Sequence, residues 1–263
     1  MGLTIQPRKN HTVEKPIQNS AGLINRWRPR NELRICTWNV LSLYRPRALK
    51  LLVDQLVKYK ADITALQEIR WTNNGVIDKR EYTMYYSCGN KHQFGTGFIV
   101  SKKIKHLVIG FTPVNERISY LRIKGKFFNY SIINIHAPTE EKCEEEKDIF
   151  YSRLENTYDT CPRYDVKTVI GDANAQIGKE ESFHPVIGQH SLHKSSNGHG
   201  LKLIDFAASR GMVIGSTLFP HKKIHKGTWK SPDSQTINQI DHILIESKHK
   251  SMLEDCRPFR GAN

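Results

Sequence analysis

Residues 166–175 read VKTVIGDANA. The β-branched, apolar run Val166–Gly171 has the make-up of a buried strand. It ends by delivering a carboxylate, Asp172, and an amide, Asn174, where a strand gives way to a loop. The same design recurs elsewhere. Leu33–Val40 (LRICTWNV) carries Asn39 near its end, Ile63–Gln67 (ITALQ) leads into Glu68, and Gln239–Ile245 (QIDHILI) carries Asp241. Loops at strand ends are where sites are usually built, so these polar residues are the first candidates for chemistry.

Helix signals alternate with the strands. Pro46–Tyr59 sets Leu49, Leu52, Val53, Leu56 and Val57 on one stripe, with Pro46 suited to a first turn. Glu140–Tyr158 is an acidic helix whose interior apolar residues include Ile149, Phe150 and Leu154, and Leu201–Arg210 closes on Gly211, a good residue just past a helix end. Gly97–Val100 and Met212–Ile214 are short strands, and Tyr120–Ile123 and Phe127–His136 flank Lys124-Gly125-Lys126, a hairpin signal. Hairpins mixed with strand–helix units predict stacked sheets with outer helices, α/β or α+β in class.

Composition narrows the partners. Forty Lys and Arg against 26 Asp and Glu give a net charge of +14, and neutralising phosphates on a polyanion releases counterions. The bland alternative is a solvated basic surface. Five cysteines, an odd number with no CxxC pair, speak against a disulfide framework or a thiolate zinc site and fit a reducing, intracellular compartment. No apolar run approaches the ~20 residues that span a bilayer, so no membrane partner is expected. Residues 1–30 hold six Lys or Arg and one Glu, the composition of a basic, disordered tail.

Each polar residue taken alone has a structural explanation. Asn39 suits a cap, Glu68 a pair with Arg70, Asp172 a turn after Gly171, and Asp241 a hydrogen-bond acceptor. Taken together they match a phosphodiester-cleaving site. Magnesium prefers hard oxygen ligands and keeps several waters, so one or two carboxylates plus an amide oxygen hold it. Hydrolysis also needs a positioned water, a proton acceptor and charge stabilisation on phosphorus.

The runs RICTWNV (34–40), ALQEIRW (65–71), NIHAPTE (134–140), VIGDANA (169–175) and GTWKSPD (227–233) with NQIDHIL (238–244), in that order, resemble the endonuclease/exonuclease/phosphatase family. Within it they are most similar to the endonuclease domain of RTE-type non-LTR retrotransposons. The resemblance implies a four-layer α/β sandwich, two central mixed sheets flanked by helices, over residues 31–263. It implies Asn39 and Glu68 as ligands of Mg²⁺, with Mn²⁺ as an alternative, at the scissile phosphate. Asp172 would orient or deprotonate the attacking water, and Asn174 beside it would contact phosphate. Asp241 would fix a catalytic histidine. His136 stands where many relatives have Tyr, and its imidazole would donate to phosphate. Asn197 falls near the substrate or serves as an ordinary loop residue.

The family's terminal Ser-Asp-His motif is not Asp241-His242. That pair follows Thr228-Trp229 and leads straight into a strand, on which His242 points to the face opposite Asp241. The motif and the core strand after it would come after Arg257–Asn263. The expectation is therefore a C-terminally truncated domain that lacks a C-terminal strand, leaves a strand edge unpaired and turns over weakly or not at all. Three functions stay open: a retrotransposon-type DNA endonuclease, a non-catalytic nucleic-acid-binding remnant, and a phosphatase or RNase of the same family. In the first two, DNA would meet basic loops at Lys102-Lys103-Lys105, His221-Lys222-Lys223 and Lys248-His249-Lys250.

Overall fold

A computed structural model describes residues 2–5 and 33–258. In chain order the elements begin with β1 (Gly2–Ile5), β2 (Leu33–Asn39), α1 (Ala48–Tyr59), β3 (Ile63–Gln67), β4 (Asn74–Asp78), β5 (Tyr82–Ser87) and β6 (Thr96–Ser101). They continue with β7 (Val108–Pro113), β8 (Ile118–Ile123), β9 (Tyr130–His136), α2 (Glu144–Thr160), β10 (Val166–Asp172) and α3 (Gly198–Ser209). The last are β11 (Met212–Ile214), β12 (Trp229–Lys230), β13 (Ile237–Asn238), β14 (Asp241–Glu246) and β15 (Leu253–Arg257). One sheet has the order β15-β1-β2-β3-β6-β5-β4, the other β11-β14-β10-β9-β8-β7, and β12 and β13 form a separate small hairpin. Both large sheets are mixed, since β2–β3 and β9–β10 are parallel within otherwise antiparallel neighbours.

Three apolar clusters divide the molecule into four layers. Leu52, Val53 and Leu56 of α1 pack on Leu66, Met84 and Ile99 of the first sheet. Ile35, Ile63, Phe98 and Val100 of that sheet meet Leu121, Ile132, Ile170 and Ile243 of the second. Ile133, Val169 and Leu244, on the second sheet's other face, pack against Phe150, Leu154, Leu203 and Phe206 of α2 and α3. Strands buried on both faces read as continuous apolar runs, which is why VKTVIGD and HILIE show no alternation. The four-layer sandwich implied by the sequence is the observed fold.

The layer between the sheets is not wholly apolar. The Thr37 hydroxyl donates to Gln67 Oε1 (3.1 Å), and Gln67 Nε2 donates to Asn134 Oδ1 (2.6 Å). Asn134 Nδ2 in turn donates to the carbonyls of Leu66 (2.9 Å) and Gly97 (2.8 Å). All three side chains are fully buried, so this clip fastens β2, β3 and β9 just behind the ends where the candidate residues stand.

Several sequence expectations shift. Helix α1 starts at Ala48 and not Pro46, because Arg47 adopts a left-handed conformation (φ 68°). Val57 and Ile149, expected in apolar interiors, are exposed, while Tyr151 and Tyr158 fill the face of α2. Phe127 and Phe128 belong to an exposed loop and not to β9. Gly2–Ile5, expected in a disordered tail, is a strand; residues 6–30 of that tail lie outside the described residues. Among the described residues the first sheet ends on β15, with β1 paired antiparallel between it and β2.

Candidate active site

Two rungs, one in each sheet, bring the candidates together. In the first sheet Asn39 is the register partner of Gln67, and Glu68 follows directly. In the second, Asp172 is flanked by His136 on its parallel neighbour and Asp241 on its antiparallel one. Gly171 allows this close approach: its φ is +145°, and a Cβ there would lie 2.1 Å from the Ile135 carbonyl oxygen. The two rungs face each other at the floor of a cleft of about 1340 Å³, lined by Asn39, Glu68, His136, Asp172, Asn174 and Asp241, among others. Every residue assigned a role from the sequence therefore lies in one place.

Hydrogen bonds join the two sheets here. Asn39 Nδ2 donates to Glu68 Oε1 (2.8 Å) and to Asp172 Oδ2 (3.0 Å). His136 Nε2 stands 3.9 Å from Glu68 Oε1 and 4.0 Å from Asp172 Oδ2. Asp172 Oδ1 accepts from the Asn174 backbone N–H (3.2 Å), while the Asn174 side chain donates to the Ala137 carbonyl (2.9 Å). Backbone strain gathers around the same floor: Leu41, Glu68, Arg70, Phe94 and Asn174 all have φ between 48° and 58°, a conformation that costs non-glycine residues ~1–3 kcal/mol each.

Electrostatics set the carboxylates apart. Burial pushes Asp172 up to about 6, against the hydrogen bonds from Asn39 and Asn174. Burial and then the Asp172 charge push Asp241 up to about 7. Burial would raise Glu68 too, but the hydrogen bonds from Asn39 and Arg70 and the nearby His136 outweigh it and hold Glu68 below the usual range. Arg70 Nη2 donates to Glu68 Oε2 at 2.6 Å. The pair expected as Glu68's structural explanation thus exists alongside its place in the site. Burial, then Arg117, lowers His136 to about 4, so its imidazole is neutral at pH 7 with Nδ1 buried and unpartnered.

Three carboxylates so close, two of them resisting ionisation, call for positive charge. Asn39 offers only neutral donors, its amide NH₂ bridging Glu68 and Asp172 while Oδ1 accepts from the Leu41 N–H (3.2 Å). For the Asn39 oxygen to hold a metal, the amide must turn over. Among the described residues no three His, Cys, Asp or Glu side chains close around a common ion position. A hydrated divalent cation held by one or two carboxylates and an amide, with water completing its shell, fits this donor set.

Other residues settle into structural or supporting places. His242 is fully buried and faces away from the cleft, with Nε2 donating to the Ala175 carbonyl (2.8 Å) and Nδ1 accepting from the Ser216 hydroxyl (2.6 Å). Asn197 caps α3 by accepting from Gly200 N–H (2.8 Å), and it also lines the cleft. Lys102 and Lys105 are neutralised by Asp78, and Lys248 by Glu246; of the three basic clusters, only 221–223 reaches the cleft, through Lys223. The sequence reading missed Thr37, Gln67 and Asn134, although each sits within a quoted run. It also missed Arg117, whose guanidinium stacks on Phe94 (3.9 Å) and donates to the His136 carbonyl (3.2 Å).

Residues 36–249 match the Endonuclease/Exonuclease/phosphatase family. The chain belongs to that family. Its members are hydrolases, nucleases and phosphodiesterases among them, that generally use divalent metals. Over 236 residues the chain is 33% identical to craniofacial development protein 2 of Tragulus javanicus, covering 89% of this chain and 40% of that protein. The chain thus spans about two-fifths of the length of that relative. The AP endonuclease LMAP of Leishmania major superposes with a TM-score of 0.62 at 12% identity, covering 85% of this chain and 81% of that one. The endonuclease domain of TRAS1, a telomere-specific non-LTR retrotransposon, superposes at 0.53 with 13% identity, covering 82% and 86%. At such identities the two superpositions establish the shared fold.

Proposed function

We propose that this chain is a Mg²⁺-dependent DNA phosphodiesterase of the retrotransposon endonuclease type, with weak turnover in residues 1–263. The observation that carries the chemistry is the convergence of Glu68, Asp172 and Asp241 with Asn39 on one cleft floor. When bound there, the cation supplies charge neutralisation at the scissile phosphate. Mn²⁺ satisfies the same oxygen donors. Glu68, held ionised by Arg70, is its fixed anionic ligand. Asn39, with its amide turned over, would be its neutral oxygen ligand. Asp172, with a pKa near neutrality, holds the attacking water and takes its proton. Neutral His136 offers an N–H to a non-bridging phosphate oxygen, and Asn174 fixes the Asp172 carboxylate through its backbone N–H.

Weak turnover follows from Asp241. Among the described residues His136 is the one histidine lining the cleft, and no imidazole hydrogen-bonds the Asp241 carboxylate. Without an acid at that corner the rate falls by ~10²–10⁴. The excess of 14 positive charges and the endonuclease names of the structural neighbours favour DNA over a lipid or inositol phosphate. That no imidazole of the described residues bonds Asp241 favours a second reading, a nucleic-acid-binding remnant without catalysis.

Nicking of supercoiled plasmid separates them. Slow nicking that requires Mg²⁺ and disappears in Asp172→Ala is expected. Robust nicking lost in Asp172→Ala would contradict weak turnover. Salt-dependent DNA binding with no nicking at any Mg²⁺ concentration would favour the remnant.

A further inference from the structure

Beside the cleft, where β2 leads toward α1, the chain turns through Leu41, Ser42 and Arg47 in positive φ (50°, 113° and 68°). This turn holds two large apolar side chains out of the core: Leu41 is 70% exposed and Tyr44 68%. Such exposure is unusual beside a floor so well packed, and it is not looseness. Leu43, between them, is buried and its N–H donates to the Ile69 carbonyl (3.0 Å), pinning the turn to the segment after Glu68. The Tyr44 ring meets His92 in an edge-on contact, with centroids 4.8 Å apart. His92 is fixed in turn through Nδ1 and the Arg70 carbonyl (3.0 Å). Arg70 is the residue that bonds Glu68, so this exposed aromatic pair is tied to the metal-binding end of the site.

Charge surrounds the pair. Arg45, Arg47 and Lys91 are exposed next to it, and no carboxylate of the described residues pairs with them. Other cations of the surface are engaged, Lys102 and Lys105 with Asp78, Lys202 with Glu144 and Asp148, and Arg210 with Asp159, whereas these three stand free beside an exposed aromatic ring at the cleft's edge. Unpaired cations around a rigid, open aromatic face are what successive phosphates and an unstacked base require. A duplex offers its bases only edge-on in the grooves, so a paired base has no face to give to Tyr44.

We infer that Tyr44 and His92 form a stacking shelf for an unpaired base of the nucleic acid, with Arg45, Arg47 and Lys91 holding its flanking phosphates. The substrate class is therefore DNA with a single-stranded segment entering beside the metal end of the cleft. This rests on the nuclease reading for its biological sense but not for its test.

The test is binding by the full chain carrying Asp172→Asn, so that cleavage plays no part, followed by fluorescence anisotropy. The probes are a blunt duplex and the same duplex with a short single-stranded overhang. Tyr44→Ala should weaken the overhang probe about tenfold and leave the blunt duplex unchanged, while Tyr44→Trp should retain tight binding to both. Arg45→Gln with Arg47→Gln should flatten the salt dependence of overhang binding by about 1.4 in slope. Equal losses on both probes, or no loss on either, overturn the shelf. So does Tyr44→Trp behaving like Tyr44→Ala. If the wild-type chain never nicks plasmid yet the overhang discrimination holds, the catalytic proposal falls and the shelf stands.

Discussion

The two sheets contribute unlike halves to one floor. The first supplies Glu68, which is partly open, bonded to Arg70 and held below the usual carboxylate range. The second supplies Asp172 and Asp241, both buried and raised toward neutrality. The difference is one of solvent and counter-charge, since all three are simple carboxylates at strand ends. A carboxylate with a guanidinium at 2.6 Å stays anionic whatever else arrives. A carboxylate enclosed with another of its kind keeps a proton until a cation displaces it. The first half is thus a standing ligand and the second a proton acceptor.

Mutation of each half breaks the comparison differently. The largest effect is expected for Asp172→Asn, which removes the proton acceptor and should lower Mg²⁺-dependent nicking ~10²–10⁴-fold while the protein still folds. In Glu68→Gln the main change should be a weaker apparent Mg²⁺ affinity, read as a higher Mg²⁺ concentration for half-maximal nicking. If both substitutions give the same kinetic signature, the division of labour is wrong.

Stability against pH sharpens it further. Asp172 and Asp241 have folded pKa values above the unfolded 3.8, so between about pH 4 and 7 the folded state holds more protons. Their contribution to stability therefore falls as pH rises through that window. His136, His199 and His242, lowered to about 4 by burial, act oppositely, and theirs is lost as pH falls from 6.5 toward 4. In EDTA, Asp241→Asn should melt higher than wild type at pH 8, by about 2–4 °C for each kcal/mol gained, and the gain should vanish near pH 4. Thermal melts at the two pH values check this; a gain that persists at pH 4 would mean the aspartate is not the cause.

The clip behind the floor gives the next effect. Asn134→Leu strands the Gln67 amide in a buried layer, at about 1–3 kcal/mol. Gln67→Leu combined with Asn134→Leu should cost less than the two singles added, because both partners leave together. Chemical denaturation reads the coupling. Arg70→Ala is expected to do least in the same denaturation assay: Glu68 still accepts from Asn39 Nδ2, and exposed pairs are worth ~0–1 kcal/mol.

Much of this was legible in the sequence, for a physical reason. Strands buried on both faces must be continuous apolar runs, so VKTVIGD and ITALQ announce themselves, and the polar residue ending each run becomes visible by contrast. What escaped was polarity inside such runs. Gln67 and Asn134 were read as parts of strands because nothing local shows that two amides, 67 residues apart, will bond each other. The strands β4, β5 and β7 were missed as half-exposed edge or near-edge elements without a strong pattern. The orientation of the Asn39 amide and the stacking of Arg117 on Phe94 depend on neighbours that the chain brings together only when folded.

The central claim, that Glu68 and Asn39 hold one divalent ion beside the proton acceptor Asp172, is tested most directly by calorimetric titration of the metal-free chain with Mn²⁺ and Mg²⁺. One site per chain is predicted, weakened more than about tenfold, or 1.4 kcal/mol, by Glu68→Gln and much less by Asp172→Asn. Unchanged affinity in Glu68→Gln would mean that the ion, if bound, is held elsewhere and that the floor described above is not a metal site.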